Sequence, residues 1–174
     1  MESGEIIMPV QGGNAINHGR LYAGMVPDAR QSIGVSKINQ ESTIIPFGYG
    51  VVSGTTDDGM KLPTNTSTAA KFTGVVKYEL NRAYHDGETM GARPKYDATV
   101  VTHGPIAVAP TVAVNRDDPV YLIVGDGTTP NANLGRFSNV VGATTETAVL
   151  IPGAKWTESL DAGEVGIVTL GIGG

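Results

Sequence analysis

The chain has 174 residues and a mass of 18.0 kDa, which suits one domain with or without an arm. Its 24 glycines and 10 prolines argue against a helical protein, while 40% hydrophobic residues are too many for a disordered one. The net charge of −5 offers no basic surface for phosphates, so we expect no nucleic-acid partner. Without cysteine the chain has neither disulfides nor thiolate metal sites, which favours folding in a reducing compartment.

The first forty residues mix Gly, Asn and Pro with short apolar clusters and show no sustained period. We interpret residues 1–19 as an extended arm and residues 20–41 as an irregular segment leading into the domain, so that 1–41 is one unit. The opening MESGEIIMPVQGG lacks the basic start and long apolar core of a signal peptide. No apolar run approaches the roughly 20 residues of a membrane helix, so we expect a soluble protein with no membrane partner, made without export.

From Ser42 onward, short segments rich in β-branched residues alternate with Gly, Asp, Asn and Pro, which predicts an all-β sandwich or barrel over residues 42–174. The segment KFTGVVKYEL predicts Phe72, Val76 and Tyr78 on one strand face and Val75 on the other. Gly104-Pro105 predicts a turn between two strands. The predicted strands lie in these segments: TIIPFGYGVVSG, KFTGVVKYEL, YDATVVTH, IAVAPTVAV, PVYLIVG, ETAVLIPG and EVGIVTLGIG.

The adjacent acids Asp57 and Asp58 are the first candidate for chemistry. A calcium loop needs acidic oxygens at alternating positions and a closing Glu, whereas Asp57-Asp58-Gly59 fits a turn in which Gly59 is free to adopt positive φ. The histidines lack the spacing of zinc ligands; they are His18, His85 and His103. Because nucleotide-binding and hydrolase motifs are also incomplete, we predict no catalytic residue, no metal site and no cofactor.

Short motifs follow one another in a distinctive order over residues 20–172. They read GMVPDARQSIGVSKINQE, IPFGYGVVSGT, DDG, KLPT, FTGVVKYE, GPIAVAP, DDPVYLIVG, GRF and LDAGEVGIVTLG. This order resembles the head cement or decoration proteins of tailed bacteriophages. The segment LNRAYHDGETMGARPK is longer than the family pattern, and we interpret it as a contact specific to this shell.

The resemblance implies a small jelly-roll-like sandwich or barrel that binds the outside of a phage capsid and is not an enzyme. It implies the major capsid protein as partner, a homo-dimer or homo-trimer at a symmetry axis, and synthesis in the host bacterial cytoplasm. Apolar arm residues would be unusual to leave in water and could pair with a neighbour's sheet edge. The predicted contact residues are Ile6, Ile7, Met8, Val10, Arg20, Tyr84, His85 and Arg93.

Two other functions stay open from the sequence. A receptor- or carbohydrate-binding module of a phage particle would expose an aromatic cluster around Trp156, although a lone Trp in a β protein more often fills the core. A small trimeric β enzyme acting on a nucleotide would bring residues such as Asp97 and Arg93 together at a subunit interface.

Overall fold

A computed structural model describes residues 21–27, 30–79, 88–125, 133–140 and 147–171. The all-β prediction is confirmed, because these residues form eleven strands and one short 3₁₀ turn, Ala69–Lys71. Within these ranges no helix has the length and apolarity that a bilayer span requires. The strands are β1 Ile33–Asn39, β2 Ile45–Pro46, β3 Gly50–Ser53, β4 Gly59–Lys61, β5 Phe72–Val76, β6 Gly91–Ala92, β7 Asp97–Val108, β8 Pro119–Gly125, β9 Phe137–Ser138, β10 Thr147–Trp156 and β11 Gly166–Leu170.

Five strands close into a ring in the order β1-β4-β3-β5-β7, because β7 pairs back onto β1. All pairs in the ring are antiparallel except β1 with β4, which is parallel and short. A second sheet continues from β7 in the order β7-β11-β10-β8-β9. The predicted barrel or sandwich is therefore a closed ring of five strands and a second sheet, and the two share β7.

The shared strand β7 runs through Gly104 and Pro105 without a turn, so the prediction of a turn there is wrong. Before this point β7 pairs with β1 and β5, and from Gly104 onward it pairs with β11. The reason is local: Gly104 has φ of 98°, a conformation that lets the strand bend from the ring into the second sheet. A Gly-Pro pair is therefore a bend within a strand here.

Two hydrophobic cores lie on opposite sides of the strands β3, β5 and β7. The ring core contains Ile45, Phe47, Val51, Met60, Val76, Ala92, Ala98 and Val100. The sheet core contains Val52, Val75, Val101, Ile106, Val108, Val114, Val120, Leu122, Val124, Phe137, Ile151, Ala154, Trp156, Leu160, Val168 and Leu170. Each of the three strands carries an adjacent pair of valines that divides between the cores. These strands are therefore a wall buried on both faces, which explains their continuous apolar runs.

Two sequence interpretations of local structure are wrong. Residues 33–39 are not irregular: they form β1, whose side chains are mostly exposed, so its sequence shows no apolar face. Phe72 packs against the sheet core, whereas Val76 and Tyr78 pack on the ring core. The register between β3 and β5 shifts at a bulge next to Gly74, whose φ is 150°. Because the bulge reverses the alternation of side chains along β5, Phe72 and Val76 lie on opposite faces of the strand.

Candidate interaction surface

The Asp57-Asp58 pair lies in the turn between β3 and β4, as predicted. The amide of Gly59 donates to the carbonyl of Thr56 at 3.0 Å. The φ of Gly59 is not positive, and a Cβ there would meet the amide end of the Gln40 side chain, which would have to shift. Across the described ranges, no group of three His, Asp or Glu side chains is arranged to hold a metal ion.

The other candidate groups for chemistry are far from one another or buried. His103 is exposed, with its Nδ1 3.1 Å from the Thr102 hydroxyl, while His18 and His85 lie outside the described residues. Asp97 is exposed at the start of β7. Trp156 is fully buried in the sheet core, so the exposed aromatic cluster expected around it for glycan binding is wrong.

Of the eight predicted contact residues, the described part of the chain includes Arg93. Its guanidinium Nη2 donates to Glu88 Oε2 at 3.1 Å, and both side chains are partly exposed. The other predicted contact residues lie outside the described ranges: Ile6, Ile7, Met8, Val10, Arg20, Tyr84 and His85. In the sequence, Glu88 and Arg93 flank Met90, a member of the aromatic surface described next.

An aromatic patch, defined as Tyr22, Met25, Phe47, Tyr78 and Met90, lies beside the start of β6. The rings of Tyr22 and Tyr78 stack at 5.6 Å between centroids and 14° between planes. Phe47 meets Tyr78 edge to face at 5.2 Å, and the Phe47 amide donates to the Met90 carbonyl at 3.2 Å. Phe47 is buried in the ring core, so its contact with Tyr78 connects the patch to that core.

The chain around Tyr22 is fixed by backbone hydrogen bonds to β7 and to the residues that follow β5. The Gly24 amide donates to the Ala107 carbonyl at 2.7 Å, and the Gly24 carbonyl accepts from the Tyr78 amide at 2.8 Å. The Ala107 amide donates to the Met25 carbonyl at 2.8 Å. Gly24 has φ of 84°, and a Cβ there would lie 2.7 Å from the Val76 carbonyl oxygen. Only glycine fits this close approach. The segment is therefore rigid although it precedes the first strand.

The patch exposes large apolar side chains that a rigid frame holds in place. Tyr22 is 56% exposed, Met90 46% and Met25 38%. Aromatic side chains and Met are enriched in the cores of protein–protein interfaces, so these exposed side chains make the patch a candidate interaction site. Sequence reasoning missed this surface because its members come from four separate segments, and their pattern gives no signal of proximity.

These features define a class: a small all-β protein that presents an apolar, aromatic contact surface on a rigid frame. The family model described as "Structural cement protein (E217 gp24/Pam3 gp6)" matches residues 10–171, and the chain belongs to this family. The predicted resemblance is confirmed. The protein is a structural component of a phage particle that stabilises the capsid.

A solved structure shares the fold. A chain of the structure titled "The capsid of Myoviridae Phage XM1" has a TM-score of 0.66 and 22% sequence identity, over 87% of this chain and 91% of that chain. No match was found among curated proteins.

Proposed function

We propose that the protein binds the outer surface of a phage capsid, where it contacts neighbouring major capsid protein subunits as a homo-dimer or homo-trimer at a symmetry axis. The main support is the aromatic patch, in which Tyr22 keeps more than half of its surface in solvent while its ring is stacked on Tyr78. A net charge of −5 suits the outer side of the shell better than the inner side, where packaged DNA would repel it.

The patch can supply binding energy at a low entropic cost. Burial of several hundred Å² would give several kcal/mol at roughly 25 cal/mol per Å², less the cost of association. Because the Tyr22 ring already stacks on Tyr78, which in turn packs against Phe47, little side-chain freedom remains to be lost. A depression of about 120 Å³ beside Phe47, with Ala109 and Arg136 in its lining, has room for an apolar side chain of a capsid subunit.

The predicted arm contacts would be continuous with the patch. Residue 20, the last before the described fold, is two residues from Tyr22, and the segment 80–87 follows Glu79 and precedes Glu88 next to the same patch. We propose that Ile6, Ile7, Met8 and Val10 add an extended strand to a neighbouring sheet edge. Arms of one oligomer would then reinforce one another, because the first engaged subunit holds the others at high effective concentration.

A binding experiment with capsid shells that lack the protein tests this function. We expect Tyr22→Ala to weaken co-sedimentation with the shells by about tenfold or more, because it removes a central aromatic anchor. The matched control is Tyr96→Ala, since Tyr96 is 54% exposed but lies outside the patch. Equal binding by Tyr22→Ala and the unchanged protein, or electron-microscopy density for the protein inside the shell lumen, would contradict the proposal.

A further inference from the structure

A cationic groove of about 270 Å³ lies on the outer face of β10 and β11. Three positively charged side chains line it, Arg30, Arg116 and Lys155, with Asp117 as the acidic member of the lining. Arg116 Nε is 3.9 Å from Asp117 Oδ2, and both side chains are about three-quarters exposed. Such an exposed pair is weak, so the arginine remains available to a stronger partner. The groove is therefore positive on a chain that is negative overall.

The backbone that carries two of these cations, Arg116 and Lys155, is fixed in place. Lys155 is paired with Thr169 of β11, and its side chain points to solvent on the face opposite the buried Trp156. The amide of Arg116 donates to the Ser159 hydroxyl at 3.1 Å, and the amide of Asp117 donates to the Trp156 carbonyl at 2.9 Å. The spacing of Arg116 and Lys155 is consequently set by their connections to the second sheet.

The acidic tip, Asp57 and Asp58, is the complementary surface. Both side chains are exposed, and no ion pair to either carboxylate occurs within the described ranges. The neighbouring Lys37 ammonium donates to the backbone carbonyl of Asp57 and not to a carboxylate. Gln40 holds the turn, since its Oε1 accepts from the Thr55 amide at 2.7 Å. Two adjacent carboxylates thus project from a rigid hairpin.

The tip and the groove of one chain cannot meet each other. The tip is bonded to the end of β1, where the Ile38 amide donates to the Asp58 carbonyl at 2.7 Å. Arg30 of the groove precedes the other end of β1, before Ile33. Five residues of strand separate Ile33 from Ile38, or about 17 Å at 3.3 Å per residue. A contact between these surfaces therefore requires two molecules.

We propose that the acidic tip of one copy inserts into the cationic groove of a second copy. The groove has the volume of about nine water molecules, which suits two carboxylates and is far too small for a nucleic-acid duplex. Arginine forks and a lysine ammonium are the groups that pair best with carboxylates. The contact joins different surfaces head to tail, so repetition closes a ring when the rotation permits. This inference rests on the self-association included in the proposed function, and it identifies the two surfaces through which the copies touch.

Charge reversal tests this contact in the purified protein by analytical ultracentrifugation. One variant carries Asp57→Lys and Asp58→Lys, and the other carries Arg116→Glu and Lys155→Glu. Each variant alone brings like charges together, so we expect its self-association constant to fall by about tenfold or more. An equimolar mixture restores both tip-to-groove pairs, so we expect association to recover in it. Recovery also shows that both variants are folded.

The outcomes separate this inference from the proposed function. Loss in each variant, recovery in the mixture and weakening of the unchanged protein's association at high salt would support the tip-to-groove contact. A protein that stays monomeric at low salt, or a mixture that stays dissociated, would overturn it. Shell binding by monomeric protein would leave the capsid-binding function standing, whereas self-association without shell binding would overturn that function and leave the contact intact.

Discussion

Single residues with hydrogen bonds across the chain organise the fold, and their roles are invisible in the local sequence. Asn39 is fully buried; its Nδ2 donates to Ala92 at 2.8 Å and to Thr43 at 3.0 Å, and its Oδ1 accepts from Glu41 at 2.8 Å. The sequence predicted Asp57-Asp58 as a turn because turn chemistry is local. It could not predict Asn39, because the partner at Ala92 is 53 positions away. The sequence could not predict the stacking of Tyr22 either, because its partner Tyr78 is also distant along the chain.

Asp118 gives a residue-scale prediction about pH. The pKa of Asp118 is lowered, first by the side-chain hydrogen bond from Asn139 at 2.7 Å and then by the backbone amide of Asn115 at 2.8 Å. A lowered pKa in the folded state stabilises the protein above the ordinary aspartate pKa, and this contribution is lost as pH falls through the folded value. Asn139→Ala should therefore lower Tm at pH 7 and have a smaller effect at about pH 2.

The control for this prediction is Asn115→Ala, which removes the side chain of an exposed asparagine but keeps the backbone amide that donates to Asp118. Its effect on Tm should be small and independent of pH. A decrease in Tm for Asn139→Ala that is equally large at both pH values would show that its hydrogen bond to the carboxylate is not the source of the stability.

At the scale of elements, the sequence predicted strands well where their ends carry local stop signals. The segment Pro119–Gly125 is β8, as the sequence indicated, because an acidic pair precedes it and a Gly-Asp-Gly run follows. β7 was divided in error, because a Gly-Pro pair usually marks a turn, whereas here Gly104 at φ of 98° only bends a strand whose pairing with β1, β5 and β11 continues on both sides. β1 was missed because its pairing with β7, and not burial of its own side chains, makes it a strand.

The bend in β7 yields the prediction at this scale. At Gly104 a Cβ would collide with the Gln31 carbonyl oxygen and lie 2.8 Å from Ser32 Cα. Gly104→Ala should lower the free energy of unfolding by about 3 kcal/mol, from the positive φ together with the overpacking. Gly163→Ala is the control, because Gly163 also has positive φ but has nothing within 4 Å of a Cβ. Urea unfolding should give Gly163→Ala the smaller loss, about 1 kcal/mol. Equal losses would show that the collision at Gly104 is relieved without cost.

At the scale of the whole molecule, the wall of β3, β5 and β7 joins the two cores into one cooperative unit. The sequence could place adjacent valines on opposite faces of a strand, but it could not show that each face is buried in a separate core. Val100 packs in the ring core and Val101 in the sheet core, so neither core can lose its wall while the other stays folded. The proposed binding to a capsid needs such a frame, because a contact surface is only as firm as the strands behind it.

This coupling predicts that damage to one core is detected in the other. Val100→Ala removes methyl groups from the ring core and should cost about 2 kcal/mol in the free energy of unfolding. Trp156, the chain's single tryptophan, reports on the sheet core, and its fluorescence midpoint in urea should shift together with the far-UV circular dichroism midpoint. The control Val140→Ala, at a site 49% exposed, should move neither midpoint. If Val100→Ala shifted the dichroism signal while the Trp156 midpoint stayed in place, the two cores would unfold separately, and the shared wall would be a hinge between two units.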